Sequence, residues 1–185
     1  WRRPHCLGSS VRSNHNPDVS LAIALLTISD TRTLAEDSSG AHLQTSLETA
    51  GHRLGERAIC PDDRYRIRAD VSRWIADPAI DVVITTGGTG LTGRDGTPEA
   101  VGPLLDKTIE GFGELFRVLS FESIGTSTLQ SRCLAGVANG TFIFVLPGSL
   151  DAVTTAWDRL IRAQLDATTR PCNLAQLRAR LTERP

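Results

Sequence analysis

The run VSLAIALLTIS, residues 19–29, constrains the fold of this chain more than any other segment. It holds few polar residues, whereas a strand with one face in water alternates apolar and polar side chains. A second run of this type, AIDVVITT, covers residues 79–86. Strands buried on both faces require helices on each side of their sheet. The sequence therefore predicts an α/β fold: an open, mostly parallel sheet with helices on both faces.

Helical and strand patterns alternate along the rest of the chain. A strand is predicted at residues 53–60, and helices are predicted near residues 41–50, 62–77, 98–107, 109–124 and 151–165. Ser38 or Ser39 is the predicted N-cap of the first helix, and Gly51 is its predicted C-cap. Asn139-Gly140 lies between two apolar runs, which predicts a type I′ hairpin at an edge of the sheet.

Composition narrows the class of protein. The chain has 185 residues, 40% of them hydrophobic and 22% charged, with a formal net charge of −1. This is typical of one globular domain and gives no sign of a nucleic-acid or membrane partner. The four scattered cysteines fit a reducing compartment, so we expect a cytoplasmic protein. Residues 1–18 lack an apolar periodicity and are predicted to be an extension, and residues 19–185 the domain.

The stretch TTGGTGLTGRDGTPEA, residues 85–100, holds the most specific chemical signal. It lacks the lysine of a P-loop, and its match to the dinucleotide pattern G-x-G-x-x-G lies after a late strand, before an intervening Pro98. Two interpretations remain: a tight turn without a ligand, or a nest of backbone N–H groups that binds a phosphate. Five glycines beside Arg94 and Asp95 favour the phosphate nest.

Acidic residues near this loop suggest a cation. Mg²⁺ binds one or two carboxylates together with phosphate oxygens and water, and Asp95 follows the nest directly. Asp95 could instead serve as an N-cap-like residue before Pro98, and Asp62 could cap the helix that follows it. The carboxyl ends of parallel strands share one edge, so the loops at residues 29–31, 86–98 and 147–149 are expected to converge.

Several stretches together resemble the molybdenum-cofactor biosynthesis proteins of the MoaB/MogA type, whose fold also occurs in gephyrin. They are TISDTR with EDSSG, TTGGTGLTGRDGTPEA, FESIGTSTLQSR, AGVANGTFIFVLPGS and TAWDRLIRAQLDATTRPCN. The similarity runs from about Leu21 to Asn173, and its later stretches look like the B-type branch. Gly96 and Leu150 differ from the family pattern, which commonly has a β-branched residue and a proline there.

The resemblance implies a three-layer α/β sandwich that binds molybdopterin and transfers AMP to it from Mg-ATP. Asp62 and Asp95 match the family's acids and are the implied catalytic residues and Mg²⁺ ligands. Expected substrate contacts are Ser29, Asp30, Thr86, Gly87, Gly88, Thr89, Gly90, Thr97, Glu99, Ser131, Arg132, Pro147, Gly148 and Ser149. The family also implies a homotrimer or homohexamer, with other cofactor-biosynthesis enzymes as partners.

Three functions stay open at this level. An adenylyltransferase would use both acids, and a carrier of molybdopterin would need only the nest. A dinucleotide oxidoreductase would need an acid placed for a ribose in a first βαβ unit, and the sequence has none there. The two intact acids favour the adenylyltransferase.

Overall fold

A computed structural model describes residues 19–183, which form a six-stranded sheet with helices on both faces. The strands are β1 (Ala22–Ile28), β2 (Arg53–Cys60), β3 (Val82–Thr86), β4 (Lys107–Thr108), β5 (Leu134–Ala138) and β6 (Thr141–Leu146). Their order across the sheet is β2-β1-β3-β6-β5-β4. The extension predicted for residues 1–18 lies outside the described residues.

The helices follow the predicted alternation. They are α1 (Ser38–Thr49), α2 (Arg64–Ala76), α3 (Thr97–Val101), α4 (Glu110–Ile124), α5 (Leu150–Ala156), α6 (Arg162–Leu165) and α7 (Leu174–Leu177). Short 3₁₀ turns follow α3, α4 and α7, and a π-helical turn, Trp157–Ile161, joins α5 to α6. None of the helices between residues 19 and 183 combines the length and apolar character needed to span a bilayer.

Pairing within the sheet confirms a mostly parallel arrangement. The pairs β2·β1, β1·β3 and β3·β6 are parallel, and β5 is antiparallel to β6. Asn139 and Gly140 have φ of 47° and 83°, as a type I′ turn requires. The hairpin is not the outermost pair, because β4 adds to β5 as the edge strand. The helix predicted at residues 98–107 therefore ends early, and its last residue belongs to β4.

Two hydrophobic cores, one on each face of the sheet, make the fold a three-layer sandwich. Alternate residues of β1 point to opposite faces: Ile23 and Leu25 to one, Ala24 and Leu26 to the other. On the first face they pack against side chains of α1, α4 and the α5–α6 helix, such as Leu43, Phe116 and Trp157. On the second face they pack against α2 and α3, through Ile67, Val71, Trp74, Ala100 and Val101.

The helix ends differ in part from the prediction. The N-cap of α1 is Asp37, and neither Ser38 nor Ser39, because the Asp37 carboxylate accepts a hydrogen bond from the Gly40 N–H at 2.9 Å. Gly51 has a φ of 87°, as expected for the residue that ends this helix.

Candidate functional site

Loops from four strands meet at the carboxyl edge of the sheet. The N–H of Ser29, after β1, donates to the Cys60 carbonyl at the end of β2, at 3.0 Å. The Gly87 N–H donates to the Leu146 carbonyl at 3.0 Å, and the Thr86 hydroxyl donates to the Pro147 carbonyl at 2.9 Å. Neighbouring strands thus bring together the expected loops, together with the loop after β2 that contains Asp62.

Gly87 and Gly88 require a bare backbone. Their φ values are 107° and 64°, in a region that side chains disfavour. A Cβ at Gly87 would collide with the Ile28 carbonyl oxygen, and a Cβ at Gly88 would meet the Thr97 hydroxyl and lie 2.6 Å from the Asp62 carboxylate. The buried Thr97 fixes this turn. Its hydroxyl donates to the Gly87 carbonyl at 2.9 Å, and its N–H donates to the Gly88 carbonyl at 3.0 Å.

The other three glycines of the loop differ in how much space surrounds them. A Cβ at Gly90 would lie 2.7 Å from the Asp95 carboxylate, so Gly90 also needs to be bare. A Cβ at Gly93 would meet nothing within 4 Å, and one at Gly96 would have its nearest contact at 3.6 Å. Three of the five glycines are therefore required by close approach, whereas Gly93 and Gly96 each leave space for a Cβ.

Asp62 lies against the glycine loop. Its carboxylate accepts a hydrogen bond from the Gly96 N–H at 3.2 Å, and its own N–H donates to Asp30 at 3.2 Å. It does not cap α2, because Asp63 does so by accepting from two N–H groups of that helix. Burial raises the pKa of the Asp62 carboxyl; the Gly96 N–H lowers it, and the negative charges of Asp95 and Asp30 raise it further. Asp62 therefore contacts the glycine loop and not the start of the helix.

Asp95 is hydrogen-bonded within its own loop. Its carboxylate accepts from the Thr92 hydroxyl at 2.6 Å and from the Thr92 N–H at 2.8 Å. The Thr92 hydroxyl is the main cause that lowers the pKa of this carboxyl, and the Gly90 N–H also lowers it. The N-cap position of α3 is Gly96, so the alternative of Asp95 as an N-cap is wrong. Asp95 shapes the loop and presents a charged oxygen beside the nest.

An ion pair connects the first loop to the glycine loop. Arg94 lies 2.6 Å from the Asp30 carboxylate, whose other oxygen accepts the Asp62 N–H. Ser29 supports this loop, since its hydroxyl oxygen accepts from the N–H groups of Thr31 and Arg32. The Arg94 side chain is 72% exposed.

Arg132 holds the glycine loop from the side. The Arg132 guanidinium donates to the Gly90 carbonyl at 2.9 Å and the Asp95 carbonyl at 3.1 Å, and it forms an ion pair with Glu99. The Ser131 hydroxyl oxygen is buried, and the Ser131 carbonyl accepts from Arg117 of α4 at 3.5 Å. These contacts direct Arg132 toward the loop and leave Ser131 covered beside α4.

The loop after β6 completes the edge. Ser149 is the N-cap of α5, as its residue type indicates, and accepts from the Ala152 N–H at 3.3 Å. The Gly148 carbonyl accepts from the Ser39 hydroxyl at 3.0 Å, and a Cβ at Gly148 would lie 3.2 Å from the Gly87 backbone. Gly148 thus lets the two glycine-bearing loops approach each other.

A buried polar cluster next to the site was missed by the sequence analysis. Asp37, whose side chain is fully buried, accepts from the Thr27 hydroxyl at 2.7 Å and from Arg57 at 3.0 Å. Burial raises the pKa of this carboxyl, but hydrogen bonds from Gly40, Thr27 and Arg57 leave it below its ordinary value. The available signal was the spacing Asp37-x-x-Gly40, since a Cβ at Gly40 would collide with this carboxylate.

Two further observations bear on what the site binds. Within residues 19–183, no three or more His, Cys, Asp or Glu side chains group in a way that could hold a metal ion. A Mg²⁺ ion needs only one or two carboxylates from the protein when phosphate and water supply its other ligands. A cavity of about 540 Å³ lies elsewhere, lined by residues of α1 and the α5–α6 helix such as His42 and Trp157. It shares no residue with the glycine loop.

Comparisons with known proteins agree with the fold. The family described as "Probable molybdopterin binding domain" matches residues 24–167. Molybdenum cofactor biosynthesis protein B of Escherichia coli (strain K12) is 58% identical over 151 residues, covering 82% of this chain and 89% of its own length. The protein of the same name from Staphylococcus aureus (strain Mu50 / ATCC 700699) is 45% identical over 146 residues, covering 77% and 86%.

A solved structure supports the same assignment. The crystal structure of a molybdenum cofactor biosynthesis protein B superposes with a TM-score of 0.81 at 40% identity, covering 87% of this chain and 97% of the other. Sequence and fold thus agree over nearly all the described residues. The chain belongs to the molybdopterin-binding-domain family of molybdenum cofactor biosynthesis proteins.

Proposed function

We propose that this protein acts in molybdenum cofactor biosynthesis by binding molybdopterin and adenylylating it with Mg-ATP. The family match and the names of the relatives support the pathway and the pterin. The observation that carries the chemistry is that both acids border the glycine loop: Asp62 accepts the Gly96 N–H at 3.2 Å, and Asp95 directly precedes Gly96 in the chain. Burial raises the pKa of Asp62, and the negative charge of Asp95 raises it further. Two acids at one loop favour a cation there, together with an anionic ligand.

The reaction exchanges one phosphoanhydride bond for another. An oxygen of the molybdopterin phosphate attacks the α-phosphorus of ATP, and a new P–O bond forms. The bond from the α-phosphorus to the oxygen that bridges it to the β-phosphorus breaks, and pyrophosphate leaves with the electron pair. The products are AMP-molybdopterin and pyrophosphate, and no oxidant or reductant takes part.

Positioning and electrostatics supply most of the catalysis in this scheme. Gly87 and Gly88 bend the turn with a positive φ. Because the Gly87 N–H already donates to the Leu146 carbonyl, the N–H groups of Gly88 and Thr89 would bind the phosphate, with the exposed Arg94 beside them. Asp62 and Asp95 would hold Mg²⁺, which neutralises phosphate charge when bound. Thr97 keeps the turn in place through its two hydrogen bonds to the backbone.

A carrier without catalysis is the second candidate. The Asp95 carboxylate accepts both the Thr92 hydroxyl and the Thr92 N–H, which a purely structural acid would also do. The nest alone would then bind the pterin phosphate and pass the molecule on. This function needs the glycines but not the charge of either acid.

Substitution of the two acids separates the candidates. In Asp62→Asn the amide oxygen still accepts the Gly96 N–H, but the charge is lost. We expect Mg-ATP-dependent formation of AMP-molybdopterin to fall by about 10² or more, on the order of 3 kcal/mol, in this variant and in Asp95→Asn. Molybdopterin affinity should change little, because removing a negative charge near an anion does not weaken its binding.

The neighbouring Asp63→Asn is the matched control. Asp63 caps α2, and Asn caps helices as well as Asp, so this variant should keep wild-type turnover. Mass detection of the adenylylated product is the measurement. Wild-type protein that binds molybdopterin but forms no product with Mg-ATP would exclude the adenylyltransferase and support the carrier function.

We also propose that the protein works in the cytoplasm as a homotrimer or homohexamer, alongside other enzymes of the cofactor pathway. The support for assembly is an apolar stripe on α4 and the turn after it, in which every member is more than half exposed: Leu115, Val118, Phe121, Ile124 and Leu129. Exposed apolar patches of this kind are typical of protein interfaces. The stripe lies on the outward side of α4, opposite Phe112 and Phe116, which face the core.

A further inference from the structure

Arg132 directs its guanidinium group to the backbone of the glycine loop. Its Nε donates to the Gly90 carbonyl at 2.9 Å and to the Thr89 carbonyl at 3.3 Å, and its Nη2 donates to the Asp95 carbonyl at 3.1 Å. The remaining terminal nitrogen forms an ion pair with Glu99. Every nitrogen of the side chain is therefore engaged within the protein.

Two of these carbonyls belong to peptide units whose N–H groups face the candidate acids. In the unit that joins Asp95 to Gly96, the oxygen accepts from Arg132 and the N–H donates to Asp62 at 3.2 Å. In the unit that joins Thr89 to Gly90, the oxygen again accepts from Arg132, and the Asp95 carboxylate lies against Gly90, 2.7 Å from the position of a Cβ, where the Gly90 N–H lowers its pKa. Each acid thus lies beside the N–H group of a peptide that Arg132 holds at its other end.

The geometry of the peptide unit lets Arg132 position the N–H groups on the other side. Because the peptide unit is planar, fixing the carbonyl oxygen also fixes the direction of the N–H on the opposite side. A cation at the oxygen polarises the amide and strengthens the hydrogen bond that its N–H makes. Only a planar guanidinium with several donors can reach three carbonyls at once; the ammonium group of lysine cannot reproduce this fork.

We propose that Arg132 is a positioning residue that aims the Gly96 and Gly90 N–H groups at Asp62 and Asp95. Through these two peptide units it sets where the carboxylates lie relative to the phosphate nest, and it makes no contact with the ligand. The role of the acids rests on the proposed function, whereas the hydrogen bonds of the loop do not. The resemblance implies that Arg132 contacts substrate; in this proposal it acts instead through the backbone of the glycine loop.

Arg68 offers a matched comparison. It is also an arginine that donates to backbone carbonyls of this region, to Ala100 at 3.0 Å and to Glu99 at 2.8 Å. Both carbonyls lie within α3, and neither belongs to a peptide unit that faces Asp62 or Asp95. Loss of Arg68 removes the same kind of contact without releasing the glycine loop.

The test compares Arg132→Gln, Arg132→Lys and Arg68→Gln by amide hydrogen exchange and by binding of inorganic pyrophosphate with Mg²⁺. We expect the Gly96 and Gly90 amides to exchange roughly five- to tenfold faster in both Arg132 variants, since each peptide unit loses the guanidinium that holds its carbonyl oxygen. Pyrophosphate affinity should fall by about tenfold in the same two variants. Arg68→Gln should match the wild type in both measurements.

Specific results would overturn the proposal. Unchanged exchange at both glycines in a folded Arg132→Gln variant would show that Arg132 does not orient these amides. Weaker pyrophosphate binding with unchanged exchange would assign Arg132 a direct contact with the ligand instead. Arg132→Lys carries the same comparison should the glutamine variant not fold. Absence of AMP-molybdopterin in the wild type would count against the adenylyltransferase alone, because the exchange result does not depend on turnover.

Discussion

Gly88 shows, at the scale of single residues, that the recurrence of glycine in a loop does not mean that each position requires glycine. One role is expected for all five glycines from the sequence, but the structure separates them by what surrounds each missing Cβ. Gly88 combines a φ of 64° with close approach to Thr97 and Asp62, whereas Gly93 faces open space. Distances between side chains from distant loops decide this, and a single sequence does not contain them.

Alanine at these two positions tests the distinction. In Gly88→Ala, a left-handed backbone that costs about 1–2 kcal/mol for an L-residue is combined with a Cβ that displaces Asp62, so phosphate binding should weaken by about tenfold or more. Gly93→Ala lies in the same loop, without either problem, and should bind as the wild type does. Calorimetric titration with molybdopterin measures the affinity, and circular dichroism verifies the fold. Equal affinities in the two variants would contradict the prediction.

The start of α1 is the clearest example at the scale of secondary-structure elements. Helical spacing located this helix, but Asp37 rather than a serine caps it, and the same carboxylate joins β1 through Thr27 and β2 through Arg57. The sequence indicates the elements well where apolar side chains repeat over many residues, as in β1, β3 and α4. It does not indicate β4, because two residues are too few for any period and their pairing with β5 decides the strand.

Asp37→Asn should separate the contribution of the helix cap to stability from the contribution of the Asp37 charge. The amide oxygen still accepts the Gly40 N–H, but the Arg57 contact is lost inside the protein, which should cost about 3 kcal/mol of unfolding free energy. Asp63→Asn, an exposed N-cap without an arginine partner, should change stability by less than about 0.5 kcal/mol. Urea unfolding at neutral pH gives both values. A loss no larger in Asp37→Asn than in Asp63→Asn would exclude a structural role for this charge.

The pH dependence of stability follows from the same residue. Because folding lowers the pKa of Asp37, its stabilising contribution is complete above the unfolded pKa of about 3.9 and is lost as pH falls through the folded pKa. Wild-type protein should therefore lose stability more steeply below about pH 4 than Asp37→Asn, which has no carboxyl to protonate at this position. Urea unfolding across this range measures the two slopes, and parallel slopes would count against the prediction.

At the scale of the whole molecule, the sheet decides which loops become neighbours. The order β2-β1-β3-β6 places the ends of four strands side by side, and a parallel sheet was predictable from the apolar runs. The convergence of the loops at residues 29–31, 86–98 and 147–149 was predictable for the same reason. The direction of Arg132 was not, because it depends on how the chain after α4 returns to the sheet.

The apolar stripe on α4 carries a prediction at this scale. A charge at its centre, in Phe121→Glu, should dissociate the assembly into monomers. The free energy needed to bury an unpaired carboxylate exceeds the stabilisation from the apolar contacts around it. Tyr65→Glu places the same charge at a 73% exposed aromatic residue on α2, on the other face of the sheet, and should leave assembly unchanged. Sedimentation equilibrium measures the molar mass of both variants. A wild type that is already monomeric would refute assembly through α4.

The convergence of four strand ends has a practical consequence for finding ligands. Site residues from Ser29 to Ser149 meet only when the whole sheet is formed, so the unfolded chain offers a ligand no partial version of the site. A compound that binds there at 100 times its dissociation constant should then stabilise the fold by about 2.7 kcal/mol. The melting temperature of the protein thus reports occupancy directly, and pterins, nucleotides and pyrophosphate can be ranked by heating alone, without an assay of turnover.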